Sequence, residues 1–206
     1  MTTVDHVMLE APDPVAAEAF YSDAFGLGSQ VRTRAAGDSA TTGFRGFTMS
    51  LVVAQPSTVD SLITSALDNG ATVLKPVAKS FWGYGGVVQA PDGSIWKVAT
   101  SSKKDTGPAG RDIDDVVLLL GVEDVKASKR FYVEHGLSVK KSFGSKYVEF
   151  DGAGSTVKLA LYGRRALAKD AGVPPEGTGA HRVVIGGDAG SFTDPDGFAW
   201  EAASVR

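Results

Sequence analysis

The residues able to do chemistry in this chain are few. Three histidines, His6, His135 and His181, are spread over 206 residues that contain no cysteine. Disulfides, thiolate metal sites and cysteine nucleophiles are therefore excluded, which leaves imidazole and carboxylate chemistry. His6 lies in the middle of the branched, apolar run Thr3 to Ala11, His181 opens the run to Ile185, and Glu201 follows Trp200 near the end. Imidazole nitrogens and carboxylate oxygens are donors that a borderline divalent ion such as Zn, Fe, Mn, Ni or Co accepts. The residue types alone leave a plainer reading beside it. In that reading His6 only hydrogen-bonds within a strand, His181 is a surface residue beside Arg182, and Glu201 faces solvent while Trp200 faces the core. His135 stands before Gly136, where a helix end favours a cation, and reads as structural.

Glu201 belongs to a pattern that occurs twice. Asp13, Phe20-Tyr21 and Gly26-Leu27 match Asp124, Phe131-Tyr132 and Gly136-Leu137. Further on, Pro91-Asp92-Gly93-Ser94-Ile95-Trp96-Lys97 matches Pro195-Asp196-Gly197-Phe198-Ala199-Trp200-Glu201, so lysine stands in one copy where glutamate stands in the other. The offset is 111 residues at the front pattern (20 to 131) and 104 at the back one (93 to 197). A period near one hundred is too long for a solenoid unit and points to two related halves of one pseudo-symmetric body. The expected organisation is a first repeat over 1–101, a polar linker over 102–111 and a second repeat over 112–206.

The elements follow from the same residues. A strand over 3–11 is stopped by Pro12-Asp13-Pro14, where Asp13 suits an N-cap and Pro14 a first helical position. Ala16, Ala17, Phe20, Ala24 and Phe25 then recur at helical spacing, and Gly26 ends the helix. The second copy has a strand over 116–122, the cap Asp124 and the stop Gly136. Short strands are predicted over 28–34, 42–47 and 48–54, then over 138–143, 146–151 and 155–162. Ser57-Thr-Val-Asp60 reads as a capping-box variant opening a second helix that Asn69-Gly70 ends. No matching helix is expected after Ile185. The plan predicts an α+β fold of paired βαβββ modules, forming two curved antiparallel half-barrel sheets with helices outside and a concave pocket for a small ligand.

The front pattern and the closing Asp-Pro-Asp-Gly-x-x-Trp-Glu resemble the vicinal oxygen chelate superfamily of glyoxalases, bleomycin-resistance proteins and extradiol dioxygenases, over nearly the whole chain. The resemblance implies one divalent metal held by His6, His181 and Glu201, with Glu201 also a candidate base. The equivalent positions of the other copy, Val117 and Lys97, supply no ligands, and a cation at 97 would repel a metal. At most one metal site is therefore predicted.

Trp82 and Tyr84, in Phe81-Trp-Gly-Tyr-Gly-Gly86, and Arg45 on a candidate strand are further pocket candidates, with rings able to stack on a planar ligand. A bulged strand with core aromatics is the alternative. A hydrophobic fraction of 43% with 22% charged residues is ordinary for a globular chain, and a net charge of −3 gives no reason to expect nucleic acid or an anionic membrane. No stretch is apolar enough to span a bilayer, no signal peptide is read, and a cytoplasmic location is expected. The expected partner is a small-molecule substrate or ligand, and the chain is expected as a monomer by internal pairing or a homodimer. The function expected is a metal-dependent glyoxalase-like enzyme on a small oxygen-chelating substrate. The alternative is a drug-binding protein of the bleomycin-resistance kind.

Overall fold

A computed structural model describes residues 2–202. Strand β1 (Val4–Ala11) leads into helix α1 (Pro14–Phe25), strand β2 (Val31–Ala35), the short β3 (Thr42–Gly43) and β4 (Phe47–Val52). Helix α2 (Pro56–Asp68) and strands β5 (Thr72–Ser80), β6 (Gly83–Gln89) and β7 (Ile95–Thr100) complete the first half. The second half comprises β8 (Asp115–Val122), α3 (Val125–Glu134), β9 (Val139–Phe143), β10 (Tyr147–Phe150), β11 (Lys158–Gly163) and α4 (Arg164–Ala171). It ends with β12 (Gly177–Thr178), β13 (Val183–Gly187), β14 (Phe192–Thr193) and β15 (Ala199–Ala202). None of these helices is long and apolar enough to cross a membrane.

The helix boundaries follow from capping. The Asp13 carboxylate accepts from the Ala16 amide at 3.0 Å, and Gly26 closes α1 in the left-handed conformation (φ 69°). Asp124 does the same for α3, accepting from Lys126 and Ala127 at 2.8 and 3.1 Å. Helix α2 departs from expectation: it begins at Pro56 with Gln55 as its cap residue, not at the Ser57 box. Proline at the first turn needs no amide partner, and the Gln55 side chain instead holds the linker, bonding Thr106, Gly107 and Pro108.

Strands from both halves share each sheet. One sheet has the order β14-β15-β13-β1-β2 and another the order β5-β6-β7-β4-β8-β11-β10-β9, while β3 and β12 form a separate ribbon. The two halves meet through the antiparallel pairs β1–β13 and β4–β8. The sheets also contain parallel pairs, namely β1–β2, β4–β7, β8–β11 and β13–β15. Of the expected strands over 42–47 and 48–54, the second is β4 and the first is reduced to the two-residue β3. One buried cluster joins the sheets and includes Val7, Leu9, Phe25, Trp96, Tyr132 and Trp200.

Helix α4 was not expected from the sequence. Arg-Arg-Ala-Leu-Ala-Lys-Asp-Ala is composed of good helix formers and is closed by Gly172 (φ 82°), but eight residues offer only one apolar turn. Val88, Trp96 and Val98 face the cluster shared with α1 and α2, whereas Val87 and Ile95 face Leu167, Ala168 and Ala171 of α4. Because side chains alternate along a strand, α4 lies on the opposite face of the eight-stranded sheet from α2. It fills that side of the sheet with its own chain. Lys97, the counterpart of Glu201, points to that face and pairs with Asp170 of α4 at 2.7 Å.

Candidate functional site

His6 and Glu201 are brought to one face of one sheet. In β1, Val7, Leu9 and Ala11 are buried toward the core, so His6, Met8 and Glu10 point the other way. His6 is opposite Gly186 of β13, and Gly186 is in turn beside Glu201 of β15. The imidazole and carboxylate thus stand two strand spacings apart, about 10 Å between backbones, with no side chain between them. The His6 ring leans over Gly186 and occupies the place where a β-carbon at 186 would sit.

The rest of the face is charged. Arg34 of β2 donates to Glu10 at 2.9 Å and to Glu201 at 2.8 Å. On a flat sheet β2 and β15 are three spacings apart, about 14 Å, so a single guanidinium reaching both carboxylates requires the sheet to curl toward this face. Arg32, beside Met8 on β2, points the same way and pairs with no carboxylate among the described residues. The Arg182 guanidinium is nearly enclosed, donates to the Ser39 carbonyl and lies 3.8 Å from Glu10. The site is therefore a concave surface holding three guanidinium groups, two carboxylates and one imidazole. Glu10, Arg32, Arg34 and Arg182 went unread in the sequence, although the alternation that starts at His6 reaches Glu10 directly.

Burial holds the His6 pKa below its usual 6.5, and the Arg32 charge lowers it further, while Asp5 and Glu201 act the other way. Its Nδ1 is buried without a hydrogen-bond partner. An unpaired buried N–H is costlier than an unpaired lone pair, so the proton of the neutral ring belongs on Nε2. Nε2, like the rest of the ring edge, lies against the β-carbon position of Gly186. The lowered pKa has a consequence for stability. Below 6.5 the unfolded chain takes up the proton before the folded one, so this contribution is present above 6.5 and is lost as pH falls through the folded value. In urea unfolding from about pH 8 to about pH 5, the wild-type chain is expected to lose stability relative to His6→Asn on the acid side. A difference that does not vary with pH would contradict this assignment.

His181 is not brought to this face. The β1–β13 register places residue 181 beside Ala11, five residues and about 17 Å along the strand from His6. The residue opposite His6 is Gly186. Arg182 takes the left-handed conformation (φ 62°), which no bulky residue adopts without cost, and His181 is turned out of the strand with it. Its ring stacks on Phe198 at 3.9 Å and its two nitrogens face the Arg45 and Asp196 carbonyls at 2.6 and 3.0 Å. His181 thus braces the second Pro-Asp-Gly turn just as Arg45 braces the first, through the Asp92 carbonyl at 2.6 Å. Replacing His181 by alanine is expected to cost about 1–3 kcal/mol in denaturant unfolding, the penalty for carbonyls left unpaired. No metal content that the protein carries should change with it.

The residues present do not fit a three-donor metal centre. Among the described residues no group of three histidine, cysteine, aspartate or glutamate side chains converges. His181 is committed to carbonyls and Glu201 is bridged by Arg34. The other pocket candidates are also dispersed. Trp82 is 82% exposed beside an equally exposed Phe81, and Tyr84 donates to Asp60 at 2.7 Å. Both line a hollow of about 300 Å³ with Lys97 and Asp170, apart from Arg45. His135 is structural in geometry: Nδ1 lies 2.8 Å from the Phe131 carbonyl and the ring packs between Phe131 and Phe192.

Paired βαβ-type modules, split between two sheets that each draw on both halves of the chain, define a vicinal oxygen chelate fold. Solved structures carry the same architecture. Glyoxalase I from Zea mays superposes with a TM-score of 0.61 over 98% of this chain and 92% of its own, at 16% identity. A Bacillus subtilis protein named as a candidate dioxygenase superposes at 0.59 over 98% and 84%, at 12% identity. No family model and no curated protein matches the sequence. At these identities the likeness is one of fold.

Proposed function

We propose that this chain is a glyoxalase-like enzyme that holds a small molecule bearing oxygens on neighbouring carbons against the concave face of the five-stranded sheet, and moves a proton at the carbon beside them. The observation that carries this reading is that His6 and Glu201 flank Gly186 on the same face of the sheet. The Arg32 guanidinium, which pairs with no carboxylate among the described residues, and the Nε2–H of a neutral His6 are donors to an oxygen on which negative charge develops. Glu201, held in place by Arg34, is the acceptor for the proton that leaves carbon. The residues in hand give no reason to route the reaction through a metal.

A second reading, binding without turnover, is favoured by one feature. Glu201 is already engaged by Arg34 and must share its charge to act as a base. The test is proton exchange in heavy water, followed by NMR, over a panel of 2-hydroxyketones, 2-oxoacids and hemithioacetals. The enzyme reading expects exchange of the carbon-bound proton with at least one class. No exchange with any of them, together with saturable binding, would leave the binding reading standing.

A further inference from the structure

A separate cavity of about 270 Å³ lies beside the first Pro-Asp-Gly turn, between the ends of β4, β6 and β7 and the segment that follows α4. Its walls include Phe44, Phe47, Ile95, Val173 and Pro174, and its charged groups are Arg45 and, at the exposed rim, Glu176. The guanidinium is partly buried, and burial pulls its pKa below the usual value. Of its five N–H donors, one bonds the Asp92 carbonyl, and no other partner is found among the described residues. The carboxylate of Asp92 does not neutralise it by contact. One oxygen takes the Tyr21 hydroxyl at 2.5 Å, and the other takes the amide and hydroxyl of Ser94 at 2.9 and 2.7 Å. Gly93 (φ 87°) lets the guanidinium pack on the turn, where a β-carbon would come within 2.7 Å of it. Arg182 adds positive potential.

A half-buried guanidinium that touches no carboxylate among the described residues, in a hollow with largely apolar walls, gains from an anion that completes it. We propose that this cavity binds a small monocarboxylate with a short apolar body, its carboxylate on Arg45 and its body against Phe44, Phe47, Ile95 and Val173. Planar carboxylates match the fork of arginine donors. The volume corresponds to about nine water molecules and lies just below the range of drug-sized sites, so the body must be short. Exposed Glu176 at the rim disfavours a second negative charge on the ligand. No residue of this cavity belongs to the His6 face.

Isothermal titration with benzoate and hexanoate, against benzamide and hexanol, tests the proposal. The acids are expected to bind with Kd near or below about 1 mM, and their neutral analogues at least about tenfold more weakly. Arg45→Gln should weaken the acids by a similar factor. Val173→Trp, on a half-exposed wall, should block them by filling the hollow and leaves Arg45 in place. His6→Ala should leave binding unchanged, so failure here is distinct from failure of the proposed enzyme activity. Equal binding of acid and neutral analogue would overturn the proposal. So would the absence of any binding, or binding that survives both Arg45→Gln and Val173→Trp.

Discussion

Replacing His6 by alanine is expected to lower proton exchange on an active substrate by at least about 100-fold in kcat/KM, the usual contribution of a positioned acid–base group. Glu201→Gln should do as much, because the amide keeps the shape and can no longer accept the proton. The more revealing variant is Gly186→Val. The His6 ring lies where the new side chain must go, so valine displaces the ring while both chemical groups stay in the chain. Activity should fall as far as in His6→Ala, and overpacking should cost about 1–3 kcal/mol of stability. Gly186→Val with full activity would show that the ring position over Gly186 is irrelevant. Unchanged activity in both His6→Ala and Glu201→Gln would remove the site altogether.

The second large effect concerns the core. Trp96 is fully buried, donates to Ser94 at 2.8 Å and packs against Tyr21 and Phe25, each with ring centroids 5.1 Å away. Trp200 is its counterpart in the other sheet, stacked on Phe192 at 5.2 Å and bonded to the Tyr132 hydroxyl at 3.3 Å. Each tryptophan-to-alanine change is expected to cost about 3–5 kcal/mol. Both rings belong to one continuous buried cluster, so either change should shift a single unfolding transition of the whole chain. Calorimetry checks this. Two transitions, only one of them displaced, would mean that the sheets unfold independently.

Much of the frame was legible in the residues. Asp13, Asp124, Gly26 and Gly136 act locally, through capping and left-handed backbone, and local signals of that kind are readable from neighbours in sequence. The duplicated tryptophans marked the two matching strands for the same reason. Helix α4 was harder because a single apolar turn leaves no periodicity to detect. The strand expected over 42–47 shrank to β3 because its partner is the two-residue β12, more than 130 residues away in the chain.

The sites divide along the same line. The repeat and its resemblance singled out His6 and Glu201, whereas residue type alone could not separate them from Asp5 and Glu10 on the same first strand. The repeat also marked Lys97 as the odd member of its pair. Only the tertiary structure decided what stands between and around them. Register is a property of two strands, so no run of residues could tell that Gly186, and not His181, lies opposite His6. The curl that lets Arg34 span two carboxylates, and the helix that pairs with Lys97, depend on chain segments more than seventy residues away. Chemistry was written in the residue types, and geometry was set by pairing at long range.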